Sequence, residues 1–306
     1  MTIELTSELN KPNQRQLWRA AIKLPLYSVI IVPMWVGTAV AIAETGTINW
    51  QNLILFLISA LVIQTWTNLT NDVFDDETGV DIHKYHSVVK LTGKKTAILW
   101  LANGLLIMGL LITGLICWWQ RDLNLMIIVV IDCFLGYIYQ GPPFRLSYHG
   151  VGEILCFFAY SLSTLAFYYA QNPQVSETIL ASSICVGFAT SMILFCSHFH
   201  QVEDDLAGGK YSPVVRFGTE KSAQILSWSA VINYSLIGLF VWLGMLPIWG
   251  LICLLSVFYA IKLCSYVNRY HSQPQKVSNC KFIAVAMYFW FGLLLGVGIV
   301  IPSLIA

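Results

Sequence analysis

Nine stretches of this sequence are apolar for long enough to cross a lipid bilayer, and that limits the fold before any motif is read. They lie at roughly 23–43, 50–69, 96–118, 123–140, 152–170, 179–199, 223–243, 248–267 and 281–301. A spanning helix needs about 20 mainly apolar residues. The fourth stretch is short and holds Asp132, and the seventh is interrupted by Asn233. No alternating ten-residue pattern of a membrane barrel is present, so backbone polar groups in lipid must be satisfied within helices. The expected fold class is all-α: a polytopic membrane bundle of nine transmembrane helices, one domain over 1–306, with residues 1–22 as a cytoplasmic N-terminal segment.

Charged residues make up 11% of the chain, less than half of the roughly 25% usual for soluble domains. A net charge of +1 gives no case for nucleic acid. The eight cysteines sit mostly inside apolar runs without CxxC spacing, which speaks for packing and against a disulfide scaffold or zinc site. The opening TIELTSELNKPNQRQLWR lacks the basic-then-apolar order of a cleaved signal peptide.

Basic residues orient the bundle. With nine spans, sixteen of the seventeen fall on one side, and Arg121 alone falls opposite. The positive-inside rule then puts the N-terminus and that side in the cytoplasm and the C-terminus across the membrane. The acidic residues gather on the same side. Asp72, Asp75, Asp76, Glu77 and Asp81 follow the second span, while Glu203, Asp204 and Asp205 follow the sixth.

Asp72, Asp75 and Asp76 are three to four residues apart and can share one helical face. Like charges so close ask for protons or a divalent cation. Oxygen-only donors select a hard ion, and phosphate company selects magnesium. Asn68 and Asn71 add neutral donors on the same turns. The second cluster precedes Gly208, Gly209, Lys210 and Arg216, and carboxylates beside cations describe a diphosphate clamp. The plain alternative is solvated loop surface, which two such clusters in so uncharged a chain make less attractive. Asp132, inside the fourth span, fits a functional group or a hydrogen-bonded structural one equally well. His198 and His200 lack the HExxH pattern of a zinc site.

The pattern NxxNDxxDxxxGxD at 68–81 resembles the first aspartate-rich motif of the UbiA-type intramembrane prenyltransferases. With Gly79 and Asp81 it is similar to the branch that prenylates 1,4-dihydroxy-2-naphthoate in menaquinone and phylloquinone synthesis. HSVVKLTG at 86–93, YQGPPFRLSYHGVGE at 139–153 and DLAGGKYSPVVRFG at 205–218 agree. The resemblance implies magnesium held by both acidic motifs, with Asp72, Asp75, Asp76, Asp81, Glu203, Asp204 and Asp205 as the metal-binding set. It also implies ionisation of an allylic prenyl diphosphate, attack by the electron-rich ring, and loss of the ring carboxylate as carbon dioxide. Asp72, Asp75, Asp76, Asp205 and Lys210 are the expected catalytic set. Asn68, Asn71, Lys84, Lys90, Lys94, Arg145, Lys210 and Arg216 are the expected diphosphate contacts. Tyr137, Tyr139 and Phe144 would shield the cation or stack on the naphthoate, or equally anchor the membrane interface; His198 and His200 are grouped with them as facing the acceptor or the cation. Glu153 would join them or orient Arg145 or a tyrosine.

The second motif departs from much of the family. Asp205 fits its later aspartate, but Gln201 stands for the earlier one, His200 for an arginine, and Ser197 and His198 for an asparagine pair. HFHQVEDDLAGGK is similar to the cyanobacterial and plastid phylloquinone enzymes, which implies phytyl diphosphate as donor and a thylakoid or plasma membrane. A plastid precursor is not expected, for want of a Ser-rich leader. The expected partners are the prenyl diphosphate, the naphthoate and the bilayer, with no nucleic acid; the sequence leaves the oligomeric state open, a monomer included. The donor's chain is expected to lie along spans one to four. The competing readings are a longer polyprenyl donor, a chlorophyll, tocopherol or haem-side acceptor, a secondary transporter, and a purely structural membrane protein.

Overall fold

The computed structural model describes residues 14–21, 27–80 and 87–305. Among them are fourteen α-helices, three 3-10 stretches and no strand. In chain order the helices are α1 (Gln14–Ala21), α2 (Ile31–Thr45), α3 (Trp50–Thr78), α4 (Val88–Thr92), α5 (Lys95–Gln120), α6 (Asn124–Gln140) and α7 (Gly152–Tyr169). There follow α8 (Glu177–His198), α9 (Val202–Ala207), α10 (Pro213–Phe217), α11 (Thr219–Trp242), α12 (Val257–Tyr270), α13 (Pro274–Val277) and α14 (Cys280–Ile305). The 3-10 stretches are Ser28–Ile30, Leu146–His149 and Ile248–Ser256.

Among the described residues seven helical segments, not nine, are long and apolar enough to cross a membrane. The shortfall has a physical cause in each case. Helix α6 has only 17 residues. Helix α7 has 18, but Glu153, two serines, a threonine and three tyrosines dilute its apolar content. Both still occupy the positions of the fourth and fifth predicted spans and pack against each other.

Small residues let the long helices approach. A Cβ on Gly37 of α2 would lie 2.6 Å from the Thr164 carbonyl oxygen of α7, the kind of backbone contact that packs helices where hydrocarbon surrounds them. Polar groups inside the bundle find partners between helices. Ser59 Oγ donates to Gly109 O at 2.7 Å and lies 2.9 Å from Thr113 Oγ1. The largest core joins α2, α7, α8, α11 and α14 around Tyr168, Tyr288 and Phe291, all buried. All eight cysteines are free.

Helix α3 positions the site. Asn49 caps its start, accepting from Asn52 N–H at 3.0 Å. Its 29 residues make about 43 Å of helix against a hydrocarbon core of about 30 Å. The surplus is the polar end, from Asn68 to Thr78. Gly79 stops the helix in the left-handed conformation, φ 75°, with its N–H on Asp75 O, as a helix C-terminus commonly requires.

Candidate active site

At one end of the bundle the final turns of α3, the 141–151 segment, and α8 to α10 converge. Asp72 is almost fully buried, and its Oδ2 accepts the Val88 N–H of α4 at 3.0 Å. Asp75 is buried too, and its Oδ1 accepts the Tyr148 hydroxyl at 3.3 Å. Asp76 and Asn71 are half-buried beside them. Asn68 is buried one turn below, and its Nδ2 has no hydrogen-bond partner.

Tyr148 ties the two acidic segments together. Its hydroxyl also meets Thr78 Oγ1, and its carbonyl accepts the Tyr211 N–H at 2.9 Å. Burial, then the charge of Asp75, pushes this phenol well above its ordinary range. Gly208 closes the junction: a Cβ there would stand 2.8 Å from Val80 Cα. The GG of the second motif thus brings α9 against the end of α3.

Asp205 points inward from α9 and is 1% exposed. His198 Nδ1 is 3.2 Å from its Oδ2, and Lys210 Nζ is 3.7 Å from its Oδ1. Burial opposes its ionisation. The His198 hydrogen bond and the Lys210 charge outweigh that and hold the carboxyl below its usual range. Across the imidazole, His198 Nε2 lies 3.3 Å from Glu153 Oε1, although neither Glu153 oxygen has a hydrogen-bond partner. The Tyr139 ring lies against Gly152, where a Cβ would stand 3.1 Å from its Cε2, beside Glu153 at the start of α7.

Other expected residues are placed differently. Arg145 does not pair with Glu153. It reaches Glu77 Oε2 at 3.1 Å, and Lys95 reaches the other oxygen of Glu77 at 3.1 Å. Arg145 itself holds a left-handed backbone, φ 42°, and its Nε has no partner. Arg216 is exposed and spends its Nε–H on Tyr211 O at 3.1 Å. Lys90 and Lys94 are exposed at the rim, and Lys94 precedes the first residue of α5. Tyr137 donates to Pro142 O at 2.6 Å and packs on Phe74, bracing the turn beside the site. Phe144 is 45% exposed against exposed Phe134, on the outside of the bundle. Glu203 is exposed and Asp204 half-buried, so of the α9 carboxylates Asp205 alone is buried. His200 is half-buried, and desolvation, then the charges of Lys281 and His198, lowers its imidazole to about 4. Asp81 and Lys84 lie outside the described residues.

Sequence reasoning gave no role to Tyr148 or to the Glu77 pairing. Glu77 stood in the acidic run without a partner in view, and no signal in the local sequence marks Tyr148 as a bridge.

Among the described residues no three His, Cys, Asp or Glu side chains converge tightly enough to hold a metal by themselves. Magnesium is usually held by one or two carboxylates, with substrate phosphates and water completing its octahedron. Asp72 and Asp75 offer such a pair, Asp205 another donor, and the orphaned Asn68 amide is a buried polar group that calls for a partner.

The sequence matches the UbiA prenyltransferase family over residues 30–301. It is 45% identical over 288 residues to the 2-carboxy-1,4-naphthoquinone phytyltransferase of Synechocystis, covering 94% of each chain. It is 41% identical to the chloroplastic 2-carboxy-1,4-naphthoquinone phytyltransferase of Arabidopsis thaliana, over 95% of this chain and 78% of that one. Among solved structures, a UbiA homologue from Archaeoglobus fulgidus bound to DMAPP and Mg2+ superposes with a TM-score of 0.61 at 15% identity, covering 90% of this chain and 98% of that one. The matched region takes in every element that builds the acidic rim, and the chain belongs to the UbiA prenyltransferase family.

Proposed function

We propose that this protein is a magnesium-dependent aromatic prenyltransferase acting on a 1,4-dihydroxy-2-naphthoate-type acceptor in phylloquinone or menaquinone synthesis, with phytyl diphosphate as donor. One observation carries the reading. A carboxylate pair, Asp72 with Asp75, and an ion pair, Asp205 with Lys210, are joined through Tyr148 and Tyr211 at one end of a membrane bundle. The names of the Synechocystis and Arabidopsis relatives support the acceptor and the donor.

Each group has a task in that reaction. Asp72 and Asp75 are the residues that would hold magnesium on the donor's phosphates, with Asn68 beside them. Bound there, magnesium would neutralise charge developing on the leaving diphosphate. Lys210, only 8% exposed, supplies a fixed positive charge that costs no reorganisation when the C–O bond breaks. Arg145 and Lys90 offer further cations at the rim. Tyr139, next to Glu153 through Gly152, is the aromatic ring that would stabilise the allylic cation. The ring carbon gains a bond to the prenyl group as its carboxylate departs as carbon dioxide, leaving its electron pair to the ring, so the exchange needs no net proton transfer.

We read the chain as one domain with nine crossings, α6 and α7 being the two short ones. Its site face and N-terminus are cytoplasmic and its C-terminus opposite, in a cyanobacterial thylakoid or plasma membrane. The test is prenylation in detergent with magnesium, phytyl diphosphate, and the acceptor in both its redox forms. Prenylated naphthalene with equimolar carbon dioxide is expected. Diphosphate release without a naphthalene product would refute the acceptor, and no turnover would refute the enzyme.

A further inference from the structure

No aspartate or glutamate follows Glu220 in the sequence, yet Lys262, Arg269, Lys276 and Lys281 do. The fold brings the last three together where α12, the short α13 and the start of α14 meet, with Lys262 two turns earlier on α12. His271 Nδ1 lies 3.0 Å from Thr219 Oγ1, and Cys280 Sγ donates to Cys196 O at 3.2 Å. This basic corner is therefore at the same end of the bundle as the last turn of α8 and the acidic site. Arg269 Cζ lies 5.4 Å and Lys276 Nζ 5.5 Å from the centre of one ring, that of Tyr270. Tyr266 packs on Tyr270, 4.9 Å between centroids, and donates to Lys276 O at 2.9 Å. Val277 and Cys280 are buried, so the cations stand on a braced turn. An aromatic face attracts a cation but leaves its charge whole. Among the described residues none of the four basic side chains pairs with a carboxylate.

Helix ends explain only part of this. A helix C-terminus attracts a cation, which suits Arg269 in the last turn of α12. Lys281 is the second residue of α14, at a helix N-terminus, where a cation is disfavoured. Like charges gathered without a neutralising partner call for an anion from outside the chain. The surroundings of the corner are apolar. Phe258, Lys262, Ser265 and Arg269 are exposed at four-, three- and four-residue steps, one face of α12. Phe282 and Phe289 are exposed seven residues apart on α14, and Tyr259 stacks on Trp290 between the two helices, 6.2 Å between centroids. Apolar helix faces thus lead straight up to cations, which matches an amphiphile with a negative head. We propose that this corner binds the headgroup of an anionic phospholipid, its acyl chains lying along Phe258 and Phe282. A free phosphate would use the cations and leave the apolar faces idle. Such binding is independent of the reaction assigned above.

The test uses the full chain in nonionic detergent and reads melting temperature against added lipid. Phosphatidylglycerol and phosphatidylcholine with the same acyl chains are compared, and inorganic phosphate is the probe without chains. Phosphatidylglycerol should raise the melting temperature at concentrations where neither of the others does, and high salt should weaken the effect. A basic residue near an anionic surface contributes about fivefold in binding. Arg269→Gln with Lys276→Gln should therefore raise the half-saturating concentration by roughly 25-fold, while Arg269→Lys should move it little. Melts without lipid check that each variant folds. If the double variant does not, Lys276→Gln alone carries the test, with a shift of about fivefold. Lys221→Gln removes another exposed cation of the same end, at the start of α11, and should leave the half-saturating concentration unchanged. A shift there as large as that of Lys276→Gln would reduce the effect to net charge and overturn the corner. No response to phosphatidylglycerol, or an equal one to phosphatidylcholine or to inorganic phosphate, would overturn the anionic-lipid site.

Discussion

Asp72 combines two duties that a substitution can separate. It is a proposed ligand, and its Oδ2 also pins the Val88 N–H across the loop. Asp72→Asn keeps a hydrogen-bond acceptor and loses the charge. Turnover should fall about 10²–10³-fold or more, the cost of removing one fixed electrostatic partner of a transition state, while the melting temperature moves little. Near-full turnover in Asp72→Asn would remove this residue from the clamp. His200 gives a pH signature. Its imidazole is lowered to about 4 from an unfolded value near 6.5, so the unfolded chain binds the proton first. Stability should therefore fall as pH drops from about 6.5 to about 4, and His200→Gln should flatten that limb in thermal melts. Asp205 has the opposite sign. Its depressed carboxyl contributes above the ordinary carboxylate range and is lost only as pH falls through its own lower value, so it should not bend the curve between pH 5 and 8. The carboxylates were legible in the sequence because so few charges compete with them. Their partners were not: the His198 bridge crosses the break between α8 and α9, and the Tyr148 bond joins residues 73 positions apart, and no local pattern encodes either contact.

At the scale of elements, the length of α3 was legible, since an apolar run that ends in carboxylates says where the bilayer ends. The weakness of α6 was legible as well, in its shortness and in Asp132. The polar dilution of α7 was harder to see, because its serines and tyrosines serve contacts with neighbours: Ser163 holds Asp132, and the α7 backbone lies against Gly37. Nor did the sequence say that Glu77, not Glu153, would hold Arg145. A helix whose last turn faces a loop cation competes with any carboxylate one element further on, and here the nearer one won. The Glu77 pairs with Arg145 and Lys95 are about one-third exposed, and exposed pairs contribute about 0–1 kcal/mol. Glu77→Gln should thus leave the melting temperature within a few degrees of wild type at low salt and indistinguishable from it at high salt. A large destabilisation would show that the pair holds the rim together.

Across the whole molecule, charge and aromatic side chains agree about the two membrane faces. Exposed Trp50, Trp118 and Trp242 stand at the ends of α3, α5 and α11 away from the site, where interfacial tryptophans anchor a bundle. Arg121, in a left-handed turn after α5, is at that same far end. Arg121→Ala should leave turnover within about twofold, since its charge is beyond a Debye length of about 8 Å from the rim. A large loss of turnover would argue against this placement of the faces. The overhang of α3 beyond the hydrocarbon also bears on the fate of the products. The diphosphate is released at a polar rim, free to diffuse into water; the prenylated ring carries its tail and stays dissolved in lipid. Sorted into two phases as they form, they seldom meet again, and the reaction acquires a direction from geometry as well as from chemistry.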